Sequence, residues 1–347
     1  QNTDRWIDAI AAYRSAQTFW TRDRAAADWA HAQSKIADTF AEIGYQEIGT
    51  RSFDEAVVAY RQLLEVRTRQ ADPVAWSRTM SALGVALAMG GERTTGNERL
   101  DQAIEAHRAV LEERPRERVP TLWAASTHNL AYALWRRGEQ EKGTARLEQA
   151  RDAFLAVLEV QTRSEVPLTW ARTQSNLGNV YTALGRREDS IEQYRLSVTA
   201  YRAALEERTR DRDAAAWGRT QYNLAGTLME LGQRLFDREM LLEAVSTYEL
   251  ALTERTREKS AIEWARTERN FATALQVLGG RTNDGQSLVR AVEAYRAASE
   301  VMTRDTAPRD WAKIQFGLGD TYQGQADISG NASGFEAAAT EIGRAHV

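Results

Sequence analysis

The 347-residue chain has no cysteine, which excludes a disulfide framework and thiolate chemistry. It has no apolar run of the roughly 18 residues that a membrane span needs, and no signal-peptide pattern. The expectation is therefore a cytoplasmic chain with no membrane partner. Only four residues are histidine (His31, His107, His128, His346), and they form no metal-ligand spacing. There is no glycine-rich phosphate loop, nucleophile elbow or HExxH motif. No catalysis, cofactor or metal is expected. A balance of 45 basic and 49 acidic residues, net −4, argues against a nucleic-acid partner. Lysine is scarce (Lys35, Lys142, Lys259, Lys313), a bias expected of a GC-rich, bacterial genome. Carboxylate pairs such as Glu112-Glu113 and Glu206-Glu207 read as solvated helical surface.

Tryptophan, by contrast, recurs in register. Trp29, Trp76, Trp123, Trp170, Trp217, Trp264 and Trp311 are each 47 residues apart. Seven residues after each stands Ile36, Leu83, Leu130, Leu177, Leu224, Phe271 or Leu318. The next column is small: Ala37, Gly84, Ala131, Gly178, Ala225, Ala272, Gly319. Three further on come Phe40, Leu87, Leu134, Tyr181, Leu228, Leu275 and Tyr322. Steps of 7, 8 and 11 fall on one face of a helix, and the small column lets a neighbour approach. Gly44, Gly91, Gly138, Gly185, Gly232 and Gly279 then read as C-terminal αL caps.

A second helix follows in each unit. Its columns are Trp6, Phe53, Leu100, Leu147, Tyr194, Leu241, Leu288 and Phe335, then Ala9, Ala56, Ala103, Ala150, Ser197, Ala244 and Ala291. Tyr13, Tyr60, His107, Phe154, Tyr201, Tyr248 and Tyr295 come next, with Leu64, Leu111, Leu158, Leu205 and Leu252 completing the stripe. Each unit is two antiparallel amphipathic helices, A and B.

These residues resemble the tetratricopeptide repeat (TPR) family. L-G-x-x-Y appears as Leu177-Gly178-Asn179-Val180-Tyr181, and A-x-x-x-[FY] as Ala244 to Tyr248. The resemblance covers essentially the whole chain and implies an all-α, right-handed TPR-like α-solenoid of antiparallel helix pairs. The usual unit has about 34 residues, so about 13 are extra in each, split between the A–B and B–A connections. Gly143 to Leu147 and Asp237 to Leu241 suggest that part of the excess lengthens helix B at its start. Units of this length resemble those of kinesin light chain and of bacterial multidomain arrays.

In order, residues 1–25 are an orphan second helix, 26–307 six helix pairs and 308–347 a seventh, incomplete pair whose helix B begins at Phe335. Neither end carries a polar cap, so the expectation is a single solenoid that is a fragment of a larger protein, with exposed ends able to self-associate end to end. Pro73, Pro120, Pro167 and Pro308, three residues before a Trp, should open helix A. Arg22, Arg69, Arg116, Arg163, Arg210, Arg257 and Arg304 close helix B, where a cation complements the helix dipole and stacks on the following Trp. Both this column and the Trp column read as structural.

The buried columns explain the fold, so recognition is sought elsewhere. In TPR domains helix A lines the concave groove. Two residues after each Trp stand His31, Arg78, Ala125, Arg172, Arg219, Arg266 and Lys313, and six after each stand Lys35, Ala82, Asn129, Asn176, Asn223, Asn270 and Gly317. These positions share a helix face, forming a cationic rail beside an Asn ladder. Asn offers donor and acceptor to a peptide backbone, and Arg holds carboxylates bidentately. The resemblance implies the same use of Asn, since TPR proteins hold ligand backbones there. Candidate partner-binding residues are Arg172, Arg219, Arg266, Lys313, Asn129, Asn176, Asn179, Asn223 and Asn270. The alternative is that Asn ties helix A to helix A while Arg is a solvated face. His128, Tyr132, Trp135, Tyr222, Met229, Arg269 and Phe316 vary around the ladder and are candidates for specificity. The implied function is a protein-interaction scaffold taking an extended or acidic segment. The competing reading is a sensor, autoinhibitory or oligomerisation region of a larger bacterial signalling or defence protein.

Overall fold

The computed structural model describes residues 2–47, 49–94 and 96–329. Among them are fourteen α-helices and no strand. Two compact units divide at Val166 and Pro167. The first unit holds α1 (Asn2–Phe19), α2 (Ala26–Gln46), α3 (Arg51–Leu64), α4 (Pro73–Glu92), α5 (Glu98–Glu113), α6 (Pro120–Glu139) and α7 (Ala145–Leu158). The second holds α8 (Pro167–Glu188), α9 (Ile191–Glu207), α10 (Ala214–Leu235), α11 (Arg238–Leu252), α12 (Ala261–Thr282), α13 (Gly285–Ser299) and α14 (Pro308–Ser329). Within each unit every helix packs on the next, so the all-α, TPR-like solenoid of helix pairs is what the chain adopts. In the second unit the A helices also touch one another in the series α8, α10, α12, α14. The expected helix B at Phe335 lies outside the described residues.

The prolines open α4, α6, α8 and α14. Their missing N–H is harmless in a first turn, where that donor has no intrahelical partner. Asp72 and Asp213 cap α4 and α10 by accepting from Ala75 N at 2.8 Å and Ala216 N at 3.0 Å. The B-helix columns form the core: Phe53, Leu100, Leu147, Tyr194, Leu241 and Leu288 are buried, as are the Ala column and the aromatic column from Tyr60 to Tyr295. Each such large side chain contributes about 1.5–3 kcal/mol on burial. The stripe ends one residue earlier than the spacing suggested. Leu63, Val110, Val157, Ala204, Ala251 and Ala298 are fully buried, while Leu64, Leu111, Leu158, Leu205 and Leu252 are only partly so. Three residues from the aromatic column, not four, faces helix A.

The glycine column does not cap. Gly44, Gly91, Gly138, Gly185, Gly232 and Gly279 lie inside their helices, which run one to three residues further. They are there because helix B starts against them: an added Cβ would sit 2.9 Å from Phe53, 2.9 Å from Leu100 and 2.8 Å from Leu288. The left-handed residues come later, at Asp189, Phe236 and Asn283. The glycine carbonyls then accept the closing bonds, from Ser190 N at 3.1 Å, Asp237 N at 2.9 Å and Asp284 N at 3.0 Å, the Schellman pattern. The extra residues of the unit thus lengthen helix A as well as the start of helix B.

Candidate functional site

The terminal arginine column is structural, as its position implied. The guanidinium lies over the following Trp ring at Arg22, Arg69, Arg116, Arg210, Arg257 and Arg304, from 4.3 Å (Arg22) to 6.0 Å (Arg210). Most of these arginines also reach a carboxylate one repeat on: Arg69 to Glu112 at 2.9 Å and Glu113 at 2.5 Å, Arg116 to Glu159 at 2.9 Å, Arg257 to Glu300 at 2.7 Å. Glu112 and Glu113 are therefore latches between repeats, and Glu207 is bound by Arg212 at 2.6 Å. Trp29 is buried, and the other register tryptophans are partly buried beneath their cations.

The Asn ladder is tied into the fold. Asn223 Nδ2 donates to Asn179 Oδ1 at 2.9 Å, joining α10 to α8. The same Asn179 oxygen accepts from Tyr201 OH at 2.6 Å. Asn270 Nδ2 donates to Tyr222 OH at 2.7 Å, joining α12 to α10, and its Oδ1 accepts from Arg269. Asn176 and Asn129 are half-buried, and Asn129 makes no hydrogen bond among the described residues. Three residues after the ladder position, helix A offers an acceptor wherever the facing helix B carries a bonding tyrosine: Tyr60 to Asp38 at 2.7 Å, Tyr201 to Asn179, Tyr295 to Thr273 at 2.9 Å. Opposite His107 and Phe154 the position is Val85 and Tyr132.

The cationic rail behaves differently. Arg78, Arg172, Arg219, Arg266 and Lys313 are all exposed, and none makes an ion pair or hydrogen bond among the described residues. Desolvation nevertheless holds Arg172 below the usual guanidinium range. Of the variable positions, His128 is buried edge-on to Phe154 at 5.2 Å, Tyr132 packs edge-on to Trp135 at 5.5 Å, and Met229 joins the core. Arg269 pairs with Asp310, Tyr222 lies under Arg255 at 4.5 Å, and Phe316 is exposed.

One column escaped the sequence reading. Nine residues before each Trp stand Trp20, Arg67, Arg114, Gln161, Arg208, Arg255 and Met302. The guanidinium donates to the hydroxyl twelve residues on: Arg67 to Thr79 at 3.5 Å, Arg114 to Ser126 at 2.9 Å, Arg255 to Thr267 at 2.9 Å. The detectable signal was a paired exchange, since Met302 comes with Ile314 and Trp20 with Ala32, where Arg67, Arg114, Arg208 and Arg255 each come with Thr or Ser. Arg114, Arg208 and Arg255 lie near rail cations. Desolvation and then Arg78 push Arg114 down. Desolvation, then Arg219, and lastly Arg172 hold Arg208 down at about 10, against the opposing pull of Asp213. Arg255 is lowered by desolvation first, with Arg219 and Arg266 adding to it. In the first unit Arg78, Arg114 and Arg118 line a cleft of about 320 Å³ with Pro73, Val74 and Leu122.

Among the described residues no group of three or more His, Asp or Glu side chains is placed to hold a metal ion. No described helix is long and apolar enough to cross a membrane. Residues 170–211 match the tetratricopeptide repeat family model. Among solved structures the chain is similar to a circular tandem repeat protein with novel repeat topology and enhanced subunit contact surfaces. That likeness has 16% identity and a TM-score of 0.35, over 99% of this chain and 89% of that one. No curated protein matches the chain. With its columns repeated every 47 residues, the chain is a helical repeat protein whose unit at 170–211 matches the tetratricopeptide repeat model.

Proposed function

We propose that this chain is a non-catalytic protein-interaction scaffold whose A-helix face binds an extended, acidic segment of a partner protein. Tetratricopeptide repeats in general mediate protein–protein interaction. The observation that carries the finer reading is the contrast between two arginine columns. Arginines at the end of helix B lie over tryptophans, and most of them reach carboxylates of the next repeat. The rail cations Arg172, Arg219, Arg266 and Lys313 stand exposed in series without such partners. A row of unpaired cations at repeat spacing suits acidic groups along an extended chain, each exposed contact being weak and the sum appreciable. Asn176, Asn223 and Asn270 lie one turn further along the same face. An amide has two donors and two acceptor lone pairs, so the rung from Asn223 to Asn179 leaves hydrogen-bonding capacity for a ligand backbone at both residues. In the first unit Asn129 offers the same groups.

The test is fluorescence anisotropy of a labelled poly-glutamate peptide with the intact chain. The comparison is a variant carrying Arg172→Glu, Arg219→Glu and Arg266→Glu, checked for unchanged helicity and melting. The parent is expected to bind, to weaken as salt rises because exposed charges are screened, and to lose binding on charge reversal. Equal binding by parent and variant would refute the rail as the recognition surface.

A further inference from the structure

Arg208 ends α9 with its side chain turned inward: the residue is only 5% exposed. Arg172 on α8 and Arg219 on α10 are near enough to destabilise its charge. None of the three side chains makes an ion pair or hydrogen bond among the described residues. Thr220 donates to Ala216 O at 2.7 Å, as Thr79, Ser126 and Thr267 donate to the carbonyls four residues before them. Unlike those three it accepts no arginine hydrogen bond among the described residues and instead meets Ser175 Oγ at 3.4 Å. Asp213 is the carboxylate that attracts Arg208, and it caps α10 through Ala216 N.

Burying an uncompensated cation beside two others is unfavourable, and the fold does not require it. At the same two columns Met302 and Ile314 are 1% and 0% exposed, so an apolar pair fills this space within the same architecture. A residue kept against local stability, where the chain itself holds a better-packing solution, marks a site built for a ligand. Three cations against one carboxylate leave about two net positive charges, the complement of a phosphate group at neutral pH. Guanidinium forks match the oxygens of such a group.

We infer that Arg208, flanked by Arg172 and Arg219, forms a phosphate-binding site on the second unit, taking either the free dianion or a phosphorylated side chain of a bound segment. The inference rests on the partner-binding reading for the second of these sources and stands on Arg208 alone for the first. Arg114 beside Arg78, opening on the cleft of the first unit, repeats the arrangement in a roomier form.

The experiment is calorimetric titration of the intact chain with inorganic phosphate at constant ionic strength, with acetate as the monoanion control. It is repeated with a phosphoserine peptide and its unphosphorylated twin. Two variants accompany the parent. Arg208→Met with Thr220→Ile copies the Met302 and Ile314 pair, and Arg208→Gln copies the residue that stands at 161. Both leave the rail in place. The parent is expected to bind phosphate, with acetate about tenfold weaker or more. Both variants should lose phosphate binding, and the double variant should melt higher than the parent without ligand. Tighter binding of the phosphopeptide than of either free phosphate or its twin assigns the site to a modified partner segment, and equal binding assigns it to the free ion. The inference is overturned if the parent binds phosphate no better than acetate, or if the folded Arg208→Gln variant binds it as the parent does. A parent that binds poly-glutamate but not phosphate refutes this site alone, and a parent that binds phosphate but not poly-glutamate refutes the peptide reading alone.

Discussion

Replacing His107 with phenylalanine should stabilise the first unit and remove part of its acid sensitivity. His107 is 1% exposed, and neither ring nitrogen has a hydrogen-bond partner. It occupies the aromatic column of helix B, where its neighbours in the series are Tyr60 and Phe154. Burial, reinforced by Arg114, lowers its pKa from 6.5 to about 4. A base whose folded pKa is depressed binds fewer protons folded than unfolded, so its share of stability is intact above 6.5 and is lost as pH falls towards 4. At 1.36 kcal/mol per unit, the loss between pH 7.5 and pH 5.0 is about 2 kcal/mol. At pH 7.5 the substitution also removes two buried, unpartnered nitrogens, each costing about 1–3 kcal/mol. Phenylalanine is slightly larger, and an added atom on Gly84 would already stand 2.7 Å from the His107 ring, so crowding offsets some of that gain. A net gain of about 1 kcal/mol is expected at pH 7.5, widening to about 3 kcal/mol at pH 5.0. Urea unfolding of both proteins, followed by helical circular dichroism at the two pH values, measures it. A difference that stays constant between the two pH values refutes the reasoning.

Glu268 should show the opposite sign. Desolvation raises its pKa from 4.5 to about 7, opposed by a hydrogen bond from Trp264, at a position where most other repeats carry Gln. A folded pKa above the unfolded one gives stability below 4.5 that is lost as pH rises through 7. Glu268→Gln should therefore match the parent at pH 4 and exceed it by about 2 kcal/mol at pH 8, after allowance for partial exposure. Equal melting of the two proteins at pH 8 would count against it. Gly178→Ala would place a Cβ 2.7 Å from the Tyr201 ring. Overpacking of about 1–3 kcal/mol should outweigh the roughly 1 kcal/mol that alanine adds to an α-helix. A variant that melts higher than the parent would show that the ring can move.

The repeat, the two helices of each unit and most of their buried columns were legible in the amino-acid sequence. Burial imposes residue type at a fixed step along one helix, and that step survives every repeat from Trp29 to Trp311. Side-chain pairing between helices leaves no such trace. The glycines that read as caps are contact points for Phe53, Leu100 and Leu288, because a missing Cβ serves a left-handed turn and a close approach equally well. Asn179 reads as a recognition residue, and nothing in the sequence signals that its oxygen also holds Tyr201 and Asn223. Two columns rich in arginine proved unlike, one latched between repeats and one open.

What the sequence alone determined is therefore the unit: its length, its two helices and the faces they bury, all properties of neighbours along the chain. Only the tertiary structure decided which polar residues satisfy the fold and which are left over. A carboxylate 43 residues away quenches Arg69, while among the described residues no carboxylate pairs with Arg208. Charge pairing depends on distance in space, and that distance exists only once the helices have stacked.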